Sequence, residues 1–385
     1  MVSERYDAIV VGVGGMGSAA LYHLARRGRR VLGLERFDVP NDMGSSHSVT
    51  RIIRLAYYEH SSYVPLLERA YELWRELERA AGEQLLHVTG SVDAGPADGR
   101  IVAGSLASCL EHGLPHEVLD AAELRRRFPG YRLPPETMAV LQPEGGFLCP
   151  ERCIVAHVEL AQAAGAEVRA RERVLDWEPA GEGVRVRSDR GEYQAERLVL
   201  AGGAWLDSLI GPDSSLVVAE RQVLAWLQPL RPELFSPERF PVFNLEVEEG
   251  HFYGFPVFGI PGFKLGRYHH LEEIVDPDLV EREPRADDEA LLRSFAERYF
   301  PEAAGPTMTL RTCLFENTPD EHFLLGAHPD FPQVVVSGGG SGHGFKFCSV
   351  IGEVVADIAT AGSTRHDIAL LRPDRFRGAI ITRRS

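Results

Sequence analysis

The chain has 385 residues, 44% of them hydrophobic and 25% charged, with a formal net charge of −15. That length calls for two domains, and that composition excludes a disordered chain. The acidic balance excludes a nucleic-acid partner, which needs a basic field, yet it leaves an anionic substrate open, because such a ligand responds to the local field of its pocket.

Tyr6 to Val11 (YDAIVV) is a short apolar run that predicts a buried parallel strand. It begins almost at once, so no secretory signal is expected, and no later apolar run approaches the roughly 20 residues of a membrane span. The expected compartment is the cytoplasm, with no membrane partner. Gly12-Val13-Gly14-Gly15-Met16-Gly17 comes next, then a helical stretch to about Arg27 and a second strand, Val31 to Glu35. This is a βαβ unit with glycines at its first turn. Gly12, Gly14 and Gly17 permit a tight turn, close approach of a pyrophosphate and close packing of helix on strand. Glu35, at the end of the second strand, is placed to accept from a ribose 2′-OH. Arg36 beside it suits an adenine cover or a solvent edge better than a 2′-phosphate.

Gly44 to Arg54 (GSSHSVTRIIR) starts no ordinary element. Arg51 and Arg54 would share one face of a turn if helical. Two guanidiniums suit a flavin phosphate or carbonyl and a substrate carboxylate. The alternative is a solvated basic pair, against which Ile52 and Ile53 argue for partial burial.

Apolar residues at helical spacing predict a helix over Tyr63–Leu77. Pro150 and Glu151 open another, which Gly165 closes. Strands are expected at Glu167–Val174, Val184–Ser188 and Leu198–Ala201. From Val223 to Tyr268, aromatic and β-branched residues broken by Pro and Gly predict antiparallel strands of a second domain. Gln333–Ser337 reads as a strand, followed by Gly338-Gly339-Gly340-Ser341-Gly342-His343-Gly344 and a helix to about Thr360. A glycine-rich loop between strand and helix is a cofactor- or oxyanion-binding device.

Side-chain usage adds two facts. The five cysteines (Cys109, Cys149, Cys153, Cys313, Cys348) are too few and too scattered for a disulfide framework or a zinc cluster, and no metal is expected. Of 41 basic residues only two are lysines, Lys264 and Lys346. Where Lys survives such a bias, a compact amine with a shiftable pKa is called for; chance retention is the alternative. Lys346 falls just inside a helix N-terminus, against the dipole, so a compensating anion is expected beside it.

Five segments in order (YDAIVVGVGGMG, SHSVTRIIRLAY, YGFPVFGIPGFKLG, CLFENTPDEHF and SGHGFKF) resemble the monomeric sarcosine oxidase family of flavoproteins, which includes N-methyltryptophan and pipecolate oxidases. The resemblance runs through almost the whole chain. It implies an α/β fold with a glutathione-reductase-like FAD-binding domain and an antiparallel-sheet substrate domain. Residues 1–90, 145–215 and 315–385 would bind FAD, and 91–144 and 216–314 would roof the substrate.

Carried over residue by residue, it implies FAD bound covalently through Cys313. Lys264 would lie over the flavin and activate oxygen. Arg54 and Lys346 would bind the substrate carboxylate. Arg51, Thr50, Ser45 and Ile52 would lie at the flavin, while His47 and Tyr253 would line the active site. Val13, Gly15, Met16, Val174, Gly202, Trp205, Gly340, Gly342, His343, Gly344 and Phe345 complete the implied cofactor contacts. There are departures from the family pattern. Phe315 stands where the sarcosine-specific branch has tyrosine, and Asn244 where it has a pocket methionine. LGRYHH is one residue longer than the expected LGYH, so the active-site histidine is His269 or His270, with His269 favoured. The implied reaction is oxidation of a secondary amino acid by oxygen, with no required protein partner, so a monomer. The alternatives are a bulkier N-methyl or cyclic substrate, a nicotinamide-dependent dehydrogenase and a non-catalytic nucleotide-binding module.

Overall fold

The computed structural model describes residues 4–211 and 214–377; residues 1–3, 212–213 and 378–385 of the expected FAD-binding ranges lie outside it. Two large sheets organise the chain. In the first, of eight strands, Glu4–Val11 lies between Val31–Leu34 and Glu192–Leu200, parallel to both. Val334–Gly338 continues the sheet parallel to Glu192–Leu200. Ile9, Val10, Leu32 and Val199 are wholly buried, as a parallel sheet covered on both faces requires. Three helices, Gly15–Arg26, Pro150–Ala163 and Cys348–Ala361, pack beside it. Close approach decides the glycine turn: at Gly12 φ is +89°, and a Cβ would stand 2.4 Å from Ala201 O.

The second sheet has nine strands, built around Val218–Leu227, Phe263–Arg267, Gly250–Phe255 and Val242–Val247 in antiparallel order. Ser91–Gly95 joins it from far away in sequence, parallel to Val242–Val247. Its core is aromatic: Phe235, Phe240, Phe243, Phe263 and Phe300 are at most 1% exposed, each contributing about 1.5–3 kcal/mol by leaving water.

Several elements differ from expectation. Glu167–Val174 is not one strand but ends at Arg169 and resumes at Val174. Between them Arg171 takes φ +57° and the buried Glu172 accepts from Ser188 and Tyr193. The strand expected at Leu198 begins at Glu192. Arg51–Ile53 is a strand, paired with Gly146–Leu148, so Arg51 and Arg54 do not share a helical face; the β-branched pair Ile52–Ile53 favours extension. Phe345–Phe347 is a 3₁₀ turn, and the α-helix proper starts at Cys348. The boundary drawn between 314 and 315 falls inside the strand Thr307–Asn317, which pairs with Val218–Leu227 through Asn317.

Candidate active site

The glycine turn and the second strand form a nucleotide cradle. Glu35 Oε2 accepts from the Val13 amide at 2.8 Å and Oε1 from that of Phe37 at 2.9 Å. Burial raises the Glu35 pKa, opposed by these amides. Arg36 is paired with Asp278 at 2.6 Å and lies over the Trp205 ring, 5.3 Å from its centroid. Its charge is thus already met, which disfavours a 2′-phosphate. Beyond the turn runs a cavity lined by Met16, Ser45, Arg51, Gly340, Gly344 and Phe345. At Gly15 an added Cβ would sit 2.9 Å from Ser46 Oγ and from Cys348 Sγ, and at Gly344 one would sit 2.9 Å from Gly340 Cα. A groove kept narrow by glycines near a helix N-terminus, with the buried Glu35 carboxylate at the turn before it, fits FAD. Of the implied contacts, Val13, Gly15, Trp205 and His343 do not line this cavity, and neither do Val174 and Gly202. Val174 starts an outer strand paired with Ser188, and Gly202 packs on Leu209 while its neighbours Ala201 and Gly203 line the cavity.

Arg51, Phe315, Gly342 and Phe345 also line a second, inner cavity. Here Arg54, 2% exposed, donates from Nη2 to both Glu59 oxygens at 2.9 and 2.8 Å and from Nη1 to Ala56 O at 2.6 Å. Its Nε lies 3.9 Å from Asp93. Burial opposes the charge on Glu59, but Arg54, then His343 and Lys346, hold its pKa down to about 2. Lys346 lines the same cavity and donates to His343 O at 2.8 Å. Burial, then Arg54, lowers its pKa to about 7 against the pull of Glu59. Glu59 is therefore the compensating anion expected beside Lys346.

Cys313 Sγ is buried 3.4 Å from Arg51 Nη2; burial raises its pKa, opposed chiefly by Arg51. Lys264 donates to Ser48 O, Thr50 O and Thr50 Oγ1 at 2.7–2.9 Å and lies 4.2 Å from the Phe255 ring centroid. Burial, then Arg51, lowers its pKa well below the ordinary lysine value. Tied to the loop that carries Thr50, it does not itself line the inner cavity. His47, buried with Nδ1 on Ser48 Oγ, has no hydrogen-bond partner at Nε2 among the described residues, and burial followed by Arg51 pushes its pKa to about 3. Ile52, Asn244 and Tyr253 line the inner cavity.

The two candidate histidines separate. His270 is wholly buried on Asp288 at 2.9 Å, beside Arg221, away from the cavities. His269 lines an outer cavity, with Nδ1 on Glu220 at 2.7 Å. Burial opposes its charge, but Glu220 raises its pKa overall. The outer cavity shares Tyr58, Glu59, Tyr268 and His343 with the inner one. His343 lies between them, hydrogen-bonded to Tyr57.

Sequence reasoning missed Glu59, Tyr58, Asp93 and Glu316. Glu316 is a buried carboxylate in the FAD groove that accepts from Ser45 at 2.8 Å. Asp93 alone carried a readable signal, a charge inside the strand-like SVDAG. Among the described residues no group of three or more His, Cys, Asp or Glu could hold a metal, and no helix is long and apolar enough to cross a membrane.

A parallel sheet ending in a dinucleotide cradle, joined through shared walls to a second cavity under an antiparallel roof, fits an FAD-dependent oxidoreductase, and residues 7–358 match that family, described as FAD dependent oxidoreductase. Within it, the chain belongs to the monomeric sarcosine oxidase and N-methyltryptophan oxidase family. It is 42% identical to the monomeric sarcosine oxidase of Streptomyces avermitilis over 98% of this chain and all of that one. It is 34% identical to the N-methyl-L-tryptophan oxidase of Salmonella dublin, covering 97% and 99%. Among solved structures, NikD, an amino acid oxidase of nikkomycin biosynthesis, superposes with a TM-score of 0.85 at 30% identity, covering 96% and 98%. The glycine oxidase of Geobacillus kaustophilus, at 20% identity over the full length of both chains and a TM-score of 0.80, shares the fold.

Proposed function

We propose that this enzyme oxidises the C–N bond of a small N-methyl amino acid, sarcosine or a near relative. The product is an imine that water hydrolyses, and oxygen is reduced to hydrogen peroxide. The observation that carries this reading is the joining of the FAD groove to a cavity holding Arg54 and Lys346 through shared walls. FAD, when bound, supplies the two-electron chemistry, taking a hydride equivalent from the substrate and passing electrons to oxygen.

The chain's own residues do the rest. Arg54 and Lys346 clamp the substrate carboxylate, which takes the place of Glu59 on the guanidinium. That fixes the N-methyl or α C–H toward the flavin, and positioning of this kind supplies a large part of a rate. Tyr58, Tyr268 and Phe315 close the cavity against water. Lys264 holds positive charge beside the flavin for the oxygen step. Cys313 is the covalent anchor of the cofactor. Tyr253 faces the substrate, and His269 stands in the outer cavity on the substrate's path. The amine must lose its proton before oxidation, which happens more readily as pH rises. The five cysteines are buried and unpaired, in keeping with a cytoplasmic enzyme, and one chain holds the complete site, in keeping with a monomer.

A bulkier N-methyl or cyclic substrate is the second reading, favoured by the outer cavity that opens behind Tyr58 and Tyr268. The nicotinamide-dependent alternative falls with the family assignment. An oxygen electrode with a panel of N-methyl and cyclic amino acids tests both: peroxide-forming uptake with sarcosine is expected, and no uptake with any member rejects the reading.

A further inference from the structure

The roof of the inner cavity carries a polar row that the carboxylate clamp does not use. Asp93, Asn244 and Tyr253 lie directly opposite one another on three neighbouring strands. Their side chains therefore stand on one face, about 5 Å apart. Asp93 is 1% exposed. Its Oδ2 accepts from Ser105 Oγ at 2.6 Å and its Oδ1 from Asn244 Nδ2 at 2.7 Å. Arg54 Nε stands 3.9 Å from Oδ1, an ion-pair contact beyond hydrogen-bond reach.

A buried carboxylate is costly unless such partners are present, and an apolar side chain would fill this part of a sheet at less cost. What Asp93 does achieve is orientation. A carboxylate only accepts, so it turns the Asn244 nitrogen toward itself and leaves the amide oxygen as the free pole. Asn244 lines the cavity, as does Tyr253 next to it. The surrounding formal charges (Arg51, Arg54 and Lys346 against Glu59 and Asp93) leave one positive charge for the substrate carboxylate to offset, so the free pole suits a neutral donor.

We propose that Asn244, set by Asp93, is a specificity-determining residue that accepts a hydrogen bond from the substrate's side chain. The substrates it selects are N-methyl amino acids bearing a hydroxyl or amide N–H, over their hydrocarbon isosteres. The inference rests on the clamp and the amine oxidation proposed above. A donor-lacking isostere strips water from the acceptor and leaves it unpaired, and sites built this way discriminate strongly.

N-methyl-L-threonine and N-methyl-L-valine differ by hydroxyl against methyl. The wild-type enzyme should favour the threonine derivative about tenfold or more in kcat/KM. Asn244→Leu should bring that ratio to about one or below. Asp93→Asn, which gives the amide a donor as neighbour and lets it turn over, should lower the ratio with Asn244 still in place; should it fail to fold, Asn244→Leu decides alone. Binding is read separately by calorimetry with 3-hydroxybutanoate and 3-methylbutanoate, acids with no amine to oxidise. A wild-type ratio near one in rates and in binding overturns the proposal, as does a ratio that survives Asn244→Leu. If no N-methyl amino acid is oxidised, the amine-oxidase reading fails, and the acid pair still decides the acceptor: about tenfold supports it, equal binding overturns it.

Discussion

Replacing Glu59 by Gln should weaken the fold and strengthen carboxylate binding at once. Glu59 places both oxygens on Arg54 Nη2 at 2.8 and 2.9 Å in the wall of the inner cavity, so an incoming carboxylate has to displace it. Removing one partner of a buried ion pair costs about 3–5 kcal/mol. Here the cost should lie near 2–3 kcal/mol, because Gln keeps one acceptor on Arg54 and Asp93 remains 3.9 Å from Nε. The competitor's charge-assisted hydrogen bond is worth about 1.5–3 kcal/mol, so its loss should tighten carboxylate binding by roughly 10- to 150-fold. Urea unfolding of the holoenzyme, with and without 3-methylbutanoate, measures the first effect. Titration of the flavin absorbance with the same acid measures the second. The ligand should also restore much of the lost stability, since it supplies the missing anion. Lower stability with unchanged affinity would refute the reasoning, because the acid would then bind somewhere other than Arg54.

Three further outcomes are expected. Cys313→Ser should release FAD into the supernatant on acid precipitation, where the wild-type protein pellet stays yellow; acid-stable flavin in the variant would reject Cys313 as the anchor. Lys264→Met should slow the oxygen half-reaction by about two to three orders of magnitude, while anaerobic reduction by substrate changes far less; equal losses by stopped flow would point to a structural role through the Ser48–Thr50 loop. Lys346, with a pKa of about 7, is charged below that pH and neutral above it, so carboxylate affinity should fall as pH rises through 7. The fall should approach tenfold per unit and level off once one charge-assisted bond, roughly 10- to 150-fold, is lost; flat affinity between pH 6 and 9 would take Lys346 out of the clamp.

What the sequence made legible was local. The strand–glycine turn–helix at the N-terminus, the glycine loop before Lys346 and the amphipathic helix that became Val64–Ala81 each announce themselves within a few residues of period or turn chemistry. What it hid was pairing at a distance. Nothing near Ser91 says that its strand will lie beside Val242, so Asp93 could not be read as the neighbour of Asn244. Likewise Arg54 reads as a free cation until Glu59 folds back onto it. Arg51 and Arg54 reached one cavity by a route other than the expected helical face. An extended segment crosses the cavity wall, and tertiary pairing with Gly146–Leu148 decided its conformation.

The contrast between the buried arginines and the two lysines shows why the rarity of lysine carried information. Arg54 and Arg221 are each at most 2% exposed, and each meets a carboxylate: Glu59 for the first, and Asp288 at 2.9 Å on both terminal nitrogens for the second. A planar fork matches a planar anion. Lys264 and Lys346 are buried too, yet their hydrogen-bond partners are carbonyl and hydroxyl oxygens. A compact ammonium fits such a ring of neutral acceptors, whereas a guanidinium would bring more donors than the ring can accept. The two cations also differ in what pH can do to them. Burial lowers both lysine pKa values, Lys346 to about 7, so these charges can leave, while an arginine's cannot. A chain that uses arginine almost everywhere has thus kept lysine at two buried positions where, among the described residues, no carboxylate is hydrogen-bonded to it. Under the proposed reaction those are positions where a cation would have to stay small and available, to a substrate carboxylate at Lys346 and to the flavin at Lys264.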